Sequence, residues 1–275
     1  MAAITPPEIK KTVVFLFSAD DPARPLGTGF WVSVPFTSDA NKLLCFIITA
    51  RHVIEGRERV KIRLSLATGE PSTGFGDICL TSGQNQALFH PDPAVDIAAI
   101  PCAPARDAKA VYKVLTRDMF ATKSFCHKQQ VLEGDEVFFV GMMPHFYGQL
   151  QNLPVVRHGR IALMTDEMYP TDKGPTRFIY VEANSYGGNS GSPVFLRFGQ
   201  TRQPGTLTLG GERIMLLGVM KGYFQQGTLL KPVDVQQPAK LLEFFENINI
   251  ALVSPVDYLV EILDSAEAKA LRGES

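Results

Sequence analysis

Gly187-Gly188-Asn189-Ser190-Gly191-Ser192-Pro193-Val194-Phe195 is the stretch on which the reading of this chain turns. A serine stands between glycines, and a proline and an apolar run follow it. A serine hydroxyl is a weak nucleophile until a base takes its proton. Attack on a carbonyl also needs N–H donors aimed at the oxygen that becomes negative. Glycines on both sides serve this, because they adopt backbone angles that turn consecutive amides inward. The same stretch is equally a Gly-Ser turn of no special purpose.

The remainder of the chain bounds the choice. It has 275 residues, 45% apolar content and a net charge of −1. That is one large domain or two small ones with ample core. There is no long basic run, so nucleic acid is not expected as a partner. No apolar run approaches the roughly 20 residues needed to span a bilayer, so no membrane partner is expected either. Residues 1–11 carry prolines and a glutamate and no apolar segment, so no secretory signal is expected. Cys45, Cys79, Cys102 and Cys126 have neither paired nor metal-ligand spacing. They read as buried thiols in a reducing compartment, and a cytoplasmic location is expected. No metal or cofactor is expected.

In chain order, Thr12–Phe17, Gly27–Val34 and Leu43–Thr49 are rich in β-branched and aromatic residues, with a Ser38–Asn41 turn between the last two. Arg59–Leu66 alternates polar and apolar, as a half-exposed strand does. A turn-rich loop is expected over Gly69–Gly76 and a short strand over Gln86–His90. A second β-rich half contains Glu136–Gly141, Val155–Met164, Arg177–Val181, Ser192–Arg197, Ile214–Lys221 and Ile248–Val253. Short helices are expected over Thr116–Phe120 and Lys240–Asn247, a surface loop over Phe224–Pro238, and a closing amphipathic helix over Val256–Leu271. Many short strands with few helices indicate two antiparallel six-stranded β-barrels and a C-terminal helix, an all-β class. The division expected is a tail (1–11), a first barrel (12–103), a linker (104–130), a second barrel (131–254) and the helix with its tail (255–275).

Two further positions carry chemistry. His52 follows directly on an apolar strand, where it is either a structural histidine or a general base. Asp96 heads the apolar run Ile97–Ile100, and burying a carboxylate there is costly without a partner. It is either a turn residue or the carboxylate that orients a histidine. The order His52, Asp96, Ser190 selects among folds. The α/β-hydrolases run Ser, acid, His on a G-x-S-x-G elbow, a pattern that fails here because residue 192 is Ser. Subtilisin-like chains run Asp, His, Ser, and only the chymotrypsin-like order remains.

On these residues the chain resembles the trypsin-like serine proteases. The likeness is carried by Gly27-Thr28-Gly29-Phe30, Thr49-Ala50-Arg51-His52-Val53, Asp96-Ile97-Ala98 and Gly188-Asn189-Ser190-Gly191-Ser192-Pro193. It is most similar to the bacterial high-temperature-requirement type, and that group's peptide-binding PDZ domain is not expected. Gly134-Asp135-Glu136-Val137, Leu217-Gly218-Val219 and Ala251–Val256 agree with it. The resemblance implies a serine endopeptidase acting on protein or peptide substrates. His52 would be general base and acid, Asp96 the orienting carboxylate and Ser190 the nucleophile. The N–H groups of Gly188 and Ser190 would form the oxyanion hole. It places the base of the first specificity pocket at Asn184 and the substrate-pairing strand at Lys221-Gly222-Tyr223. Asn184 is not acidic, so a neutral or small apolar residue is expected before the cut.

There are departures. Ser192 replaces the usual Gly. Asn189 stands where secreted digestive members carry the Asp that pairs with a newly cut N-terminus. Activation of that kind is therefore not expected, and order in the oxyanion loop must come from the sequence, from oligomerisation or from an activating partner. A catalytically silent binding module and a latent protease remain the alternatives. His90, His127, His145 and His158 are expected in surface or loop positions, and Trp31 and Phe30 in the first core.

Overall fold

The computed structural model of the protein describes residues 7–39, 41–66, 75–102, 110–149, 151–198, 213–230 and 242–274. Two β units share one core. The first is a seven-stranded antiparallel sheet. Its strands run Phe75–Cys79, Arg59–Arg63, Val13–Ser18, Pro25–Pro35, Leu43–Thr49, Ala98–Pro101 and Leu88–Phe89 from edge to edge. The second is a closed six-stranded barrel. Around it run Glu136–Gly141, Val155–Met164, Ile179–Glu182, Leu242–Pro255, Arg213–Leu230 and Pro193–Phe198, and the last pairs back onto the first.

The first unit thus differs from the closed six-stranded barrel expected. Its two edges are joined by the backbone bond from Ala87 N–H to Leu80 O (2.9 Å). A 3₁₀ turn over Gly83–Asn85 takes up the residues that would extend the ladder.

Unbroken apolar runs arise where both faces of a strand are covered. In Glu136–Gly141, Val137 and Phe139 face the barrel interior with Ile161, Val181, Val194, Leu217 and Val253. Phe138 and Val140 face the other way, into a cluster shared with Phe15, Phe17, Phe30 and Phe46 of the first unit and Val256 and Leu259 of the closing helix. Trp31 and Phe30 are fully buried, as expected, Trp31 in the outer cluster of the first unit with Val14, Leu16 and Ile47.

Several boundaries moved. Phe75–Cys79 is a strand paired with Arg59–Arg63, so the loop expected over Gly69–Gly76 ends earlier; residues 67–74 lie outside the described residues. Arg213–Leu230 and Leu242–Pro255 form one long ladder from Gly218↔Pro255 to Leu230↔Leu242. This overrides the helix expected over Lys240–Asn247 and the start of the loop expected over Phe224–Pro238; residues 231–241 lie outside the described residues. Cross-strand pairing outweighs the helical preference of a Leu-Leu-Glu run. The closing helix is two helices, Val256–Leu263 and Ala266–Leu271, because Ser265 caps the second by accepting from Ala268 N–H (3.2 Å). Sequence reading missed the Lys123–Lys128 helix and the small hairpin of Tyr169–Thr171 with Gly174–Thr176.

The units are also tied by a buried cation. The Arg63 guanidinium donates to Asn152 Oδ1 (2.8 Å), Gly148 O (2.9 Å) and Tyr147 O (2.8 Å). It also lies 4.9 Å from the Tyr147 ring centre. Burial lowers its pKa from the usual arginine value, yet it has five donors to satisfy and finds carbonyls for three of them. Among the described residues, no helix is long and apolar enough to cross a membrane, and no three His, Cys, Asp or Glu side chains gather as metal ligands.

Candidate active site

The strand Leu43–Thr49 delivers the chain into a single helical turn, Arg51–Ile54. Val53 and Ile54 are buried, which leaves His52 on the open face with 46% of its side chain exposed. Asp96 lies in the buried approach to Ala98–Pro101, two strand positions from Ala98↔Thr49. Its carboxylate grips His52 twice. Oδ1 accepts the His52 backbone N–H at 2.9 Å, and Oδ2 lies 2.7 Å from Nδ1. The second contact puts the Nδ1 proton toward Asp96 and leaves Nε2 as the acceptor facing outward. The cost of burying Asp96 is thereby offset.

Ser190 is held by its own backbone. Its carbonyl accepts Thr28 N–H at 2.9 Å. Gly191 (φ +84°) donates to Met220 O at 2.8 Å, and a Cβ there would sit 2.0 Å from Thr28 O, so only glycine fits. The position that a Cβ on Gly27 would take is 2.9 Å from both Ser190 O and Val53 Cγ2, so the serine turn and the histidine turn close on the same point. The Ser190 hydroxyl donates to Lys221 O at 3.1 Å. It makes no hydrogen bond to His52 among the described residues.

The segment before the serine is a tight turn. Asn189 N–H donates to Tyr186 O (3.2 Å), and Gly188 has φ +88° while Gly187 does not share that region. This is a β-turn whose third position, Gly188, has the positive φ that glycine adopts readily. Among the described residues, the N–H groups of Gly188 and Ser190 donate to no acceptor. Thr28 pins this turn. Its hydroxyl donates to Gly188 O at 2.8 Å and accepts Met142 N–H at 2.9 Å, while its carbonyl accepts the Thr49 hydroxyl at 2.7 Å. One fully buried threonine thus joins the histidine strand, the barrel and the serine turn. Sequence reasoning did not single it out. The available signal was a polar residue between two glycines at the head of an otherwise apolar strand.

A cavity of about 290 Å³ beside His52 is lined by Asp96, Thr171, Lys173, Lys221, Gly222 and Tyr223. The ladder between Pro193–Phe198 and Arg213–Leu230 ends at Val219, so Lys221-Gly222-Tyr223 lie beyond it on the cavity wall. The Lys221 ammonium sits 4.7 Å from the Phe178 ring centre, a cation–π contact. Asn184 is exposed and lines none of this cavity. At the rim, Lys173 on the small hairpin pairs with Glu55, which Arg51 also holds at 2.8 Å. The Lys173 hydrogen bond holds the Glu55 pKa below the usual carboxylate range.

Behind the serine the polar groups are less well served. Ser192 is fully buried and its Oγ has no partner; its hydroxyl fills the space over Gly141, where a Cβ would lie 2.0 Å from that Oγ. Asn189 is 1% exposed, and both polar atoms of its amide are unpartnered. The other histidines lie away from the cavity. His127, His145 and His158 are exposed. His90 departs from the expected surface position: it is buried against Tyr258, and its Nε2 meets Glu261 of the closing helix at 2.7 Å. All four cysteines are free thiols, with Cys126 buried and the other three half-buried.

A family model described as a trypsin-like peptidase domain matches residues 27–201. No curated protein matches the sequence. Among solved structures, the chain is similar to the apo form of the MamO protease domain from Magnetospirillum magneticum, with TM-score 0.54 and 14% identity over 94% of this chain and 99% of that one. It is similar to the HtrA-type protease AlgW with a decapeptide, with TM-score 0.50 and 14% identity over 94% of this chain and 65% of that one. It is also similar to an atomic-resolution structure of HBP, with TM-score 0.52 and 10% identity over 96% and 94%.

Proposed function

The chain belongs to the trypsin-like peptidase domain family, and from that premise we propose that it is a serine endopeptidase using Ser190, His52 and Asp96. The observation that carries the reading is the double grip of Asp96 on His52, which leaves Nε2 facing the cavity whose wall holds the Ser190 hydroxyl through Lys221 O.

The chemistry runs as follows. The Ser190 hydroxyl leaves Lys221 O by rotating about its Cα–Cβ bond, a step between staggered wells. His52 Nε2 takes the hydroxyl proton as Oγ bonds to the scissile carbonyl carbon, and the carbonyl π electrons move to oxygen. Asp96 stabilises the imidazolium and stays ionised. The undonated N–H groups of Gly188 and Ser190 receive the oxyanion; each such donor is worth about 3 kcal/mol in the barrier. Collapse breaks the C–N bond, and His52 returns its proton to the leaving amine. Water, deprotonated by His52, then releases the acyl group from Ser190. The substrate is an extended protein or peptide segment that adds as a strand alongside Lys221-Gly222, with a neutral or small apolar residue before the cut. A decapeptide in the structure of AlgW supports a peptide ligand for this fold. The reading carries the cytoplasmic location expected from sequence, for which the four free thiols are the supporting feature.

A second reading is favoured by one contact. The bond from Ser190 to Lys221 O describes a resting nucleophile, as in a latent protease awaiting a partner. Incubation with a peptide library, read by mass spectrometry against Ser190→Ala, tests both. Cleavage by the wild type alone supports the endopeptidase. Cleavage only after addition of lysate, still dependent on Ser190, supports latency. No Ser190-dependent cleavage in either case refutes both.

A further inference from the structure

The stretch from His90 to Ile97 joins the strand Leu88–Phe89 to the strand Ala98–Pro101 and carries Asp96, yet among the described residues it pairs with no strand. Side chains set its course instead. Asp92 N–H donates to His90 Nδ1 at 3.1 Å, and Ala94 N–H donates to Asp92 Oδ1 at 2.9 Å. Each bond links a side chain to the backbone N–H two residues on, the local turn that Asp and Asn favour. Val95 N–H closes on Asp92 O at 3.2 Å. His90 is therefore the first link of a chain, His90 to Asp92 to Ala94, that ends just before Asp96.

His90 is itself held from outside this stretch. It is 7% exposed, its Nε2 lies 2.7 Å from Glu261 Oε2, and its ring stands edge-on to Tyr258 with centres 5.4 Å apart. Its carbonyl accepts Arg51 Nη1 at 3.3 Å, and Arg51 directly precedes His52. Because His90 Nδ1 accepts an N–H, it carries no proton, and the ring proton stands on Nε2, donated to Glu261. His52 is the reverse, with its Nδ1 proton toward Asp96.

We propose that His90 is a positioning residue for Asp96 in the reaction proposed above, on which this inference rests. Among the described residues it makes no hydrogen bond to His52 or Ser190, so it acts through Asp92 and the course of the stretch. An outward shift of that stretch lengthens the 2.7 Å contact between Asp96 Oδ2 and His52 Nδ1 and weakens the group that stabilises the imidazolium. The two ring nitrogens can be tested apart. Asparagine puts an acceptor where Nδ1 stands and forms the two-residue turn by itself, but it does not reach Glu261. Glutamine puts a donor near the place of Nε2 and reaches Glu261, but it leaves the Asp92 N–H without its acceptor.

Proton–nitrogen correlation spectra of the Ser190→Ala protein read both tautomers without catalysis. The proton is expected on Nε2 of His90 and on Nδ1 of His52; a proton on His90 Nδ1 overturns the proposal whether or not any variant folds. The His52 Nδ1 proton signal should keep its position in His90→Asn and move upfield, or vanish by exchange with water, in His90→Gln. With Ser190 restored, kcat on a library peptide should fall about tenfold in His90→Gln and stay within about twofold in His90→Asn and in Glu261→Gln, which keeps an acceptor for the Nε2 proton. A role in packing alone predicts the opposite order, since asparagine loses the contact with Glu261 and glutamine keeps it. His90→Asn disturbing the His52 signal as much as His90→Gln, or Glu261→Gln losing as much kcat as His90→Gln, overturns the proposal. A wild type that cleaves nothing removes the endopeptidase reading, while the His52 signal still judges the positioning.

Discussion

Replacing Thr28 by Val tests whether the serine turn is held by one buried hydroxyl. Valine keeps the shape of threonine and removes only the oxygen. Two hydrogen bonds go, to Gly188 O (2.8 Å) and from Met142 N–H (2.9 Å). Each contributes about 1 kcal/mol net, and the Met142 N–H, in a fully buried residue, is left unpaired at about 1–2 kcal/mol. The expected loss is about 3 kcal/mol, or roughly 6–12 °C in the melting temperature of a chain this long. Releasing Gly188 O also loosens the turn that aims the Gly188 N–H. A loss of about 1 kcal/mol from the competent turn lowers kcat about fivefold with little change in KM. Thermal melts and cleavage of a substrate taken from the peptide library measure both quantities, with Thr28→Ser as the variant that keeps the hydroxyl. Thr28→Val melting within 1–2 °C of the wild type and cleaving at its rate would refute the reasoning, as would Thr28→Ser behaving like Thr28→Val.

Asp96→Asn keeps the volume but cannot hold Nδ1–H as an anion, and kcat should fall about 10⁴-fold in a protein that still folds, as checked by circular dichroism and cleavage rate. Arg63→Met leaves Asn152 Oδ1 and the carbonyls of Tyr147 and Gly148 without a donor, and denaturant melts should show a loss of about 3 kcal/mol. Ser192→Ala removes a buried hydroxyl without a partner and should raise stability by about 1 kcal/mol, whereas Gly141→Ala puts a methyl 2.0 Å from that oxygen and should lower it until combined with Ser192→Gly. The Cys79 thiol is pulled down to about 7, first by the Ser82 hydroxyl, while burial pushes Cys102 up to about 11. At pH 8, above the first value and below the second, Cys79 is the thiolate, and iodoacetamide should modify it well before Cys102 by mass spectrometry.

Glu136–Gly141, which buries both faces, was legible because its apolar run is unbroken, and Val155–Met164, with Ile161 alone buried, lies where composition and turn residues placed it. The Lys240–Asn247 region was misread because its local preference is helical, and only the pairing of Gln225 with Asn247 and its neighbours makes it a strand. The small hairpin at Tyr169–Thr171 escaped notice because two prolines and a glycine in eight residues read as loop. At the site, the pairing of His52 with Asp96 was foreseeable from the cost of burying a carboxylate. The resting bond from Ser190 to Lys221 O, and the roles of Thr28 and Gly141, were not, since they depend on atoms that lie from 31 to 160 residues apart in the chain and leave no trace in local pattern. His90 was read as peripheral because nothing near it in sequence announces Glu261.

The central claim is that Ser190 becomes a nucleophile through His52 when its hydroxyl swings away from Lys221 O. Its most direct measurement is reaction of the purified protein with a fluorophosphonate, followed by peptide mapping of the phosphonylated residue, before and after addition of lysate. The account predicts modification at Ser190 that is lost in Ser190→Ala and slowed by orders of magnitude in His52→Ala. A folded wild-type protein that stays unmodified at Ser190 in both conditions, or that reacts equally fast without His52, would contradict it.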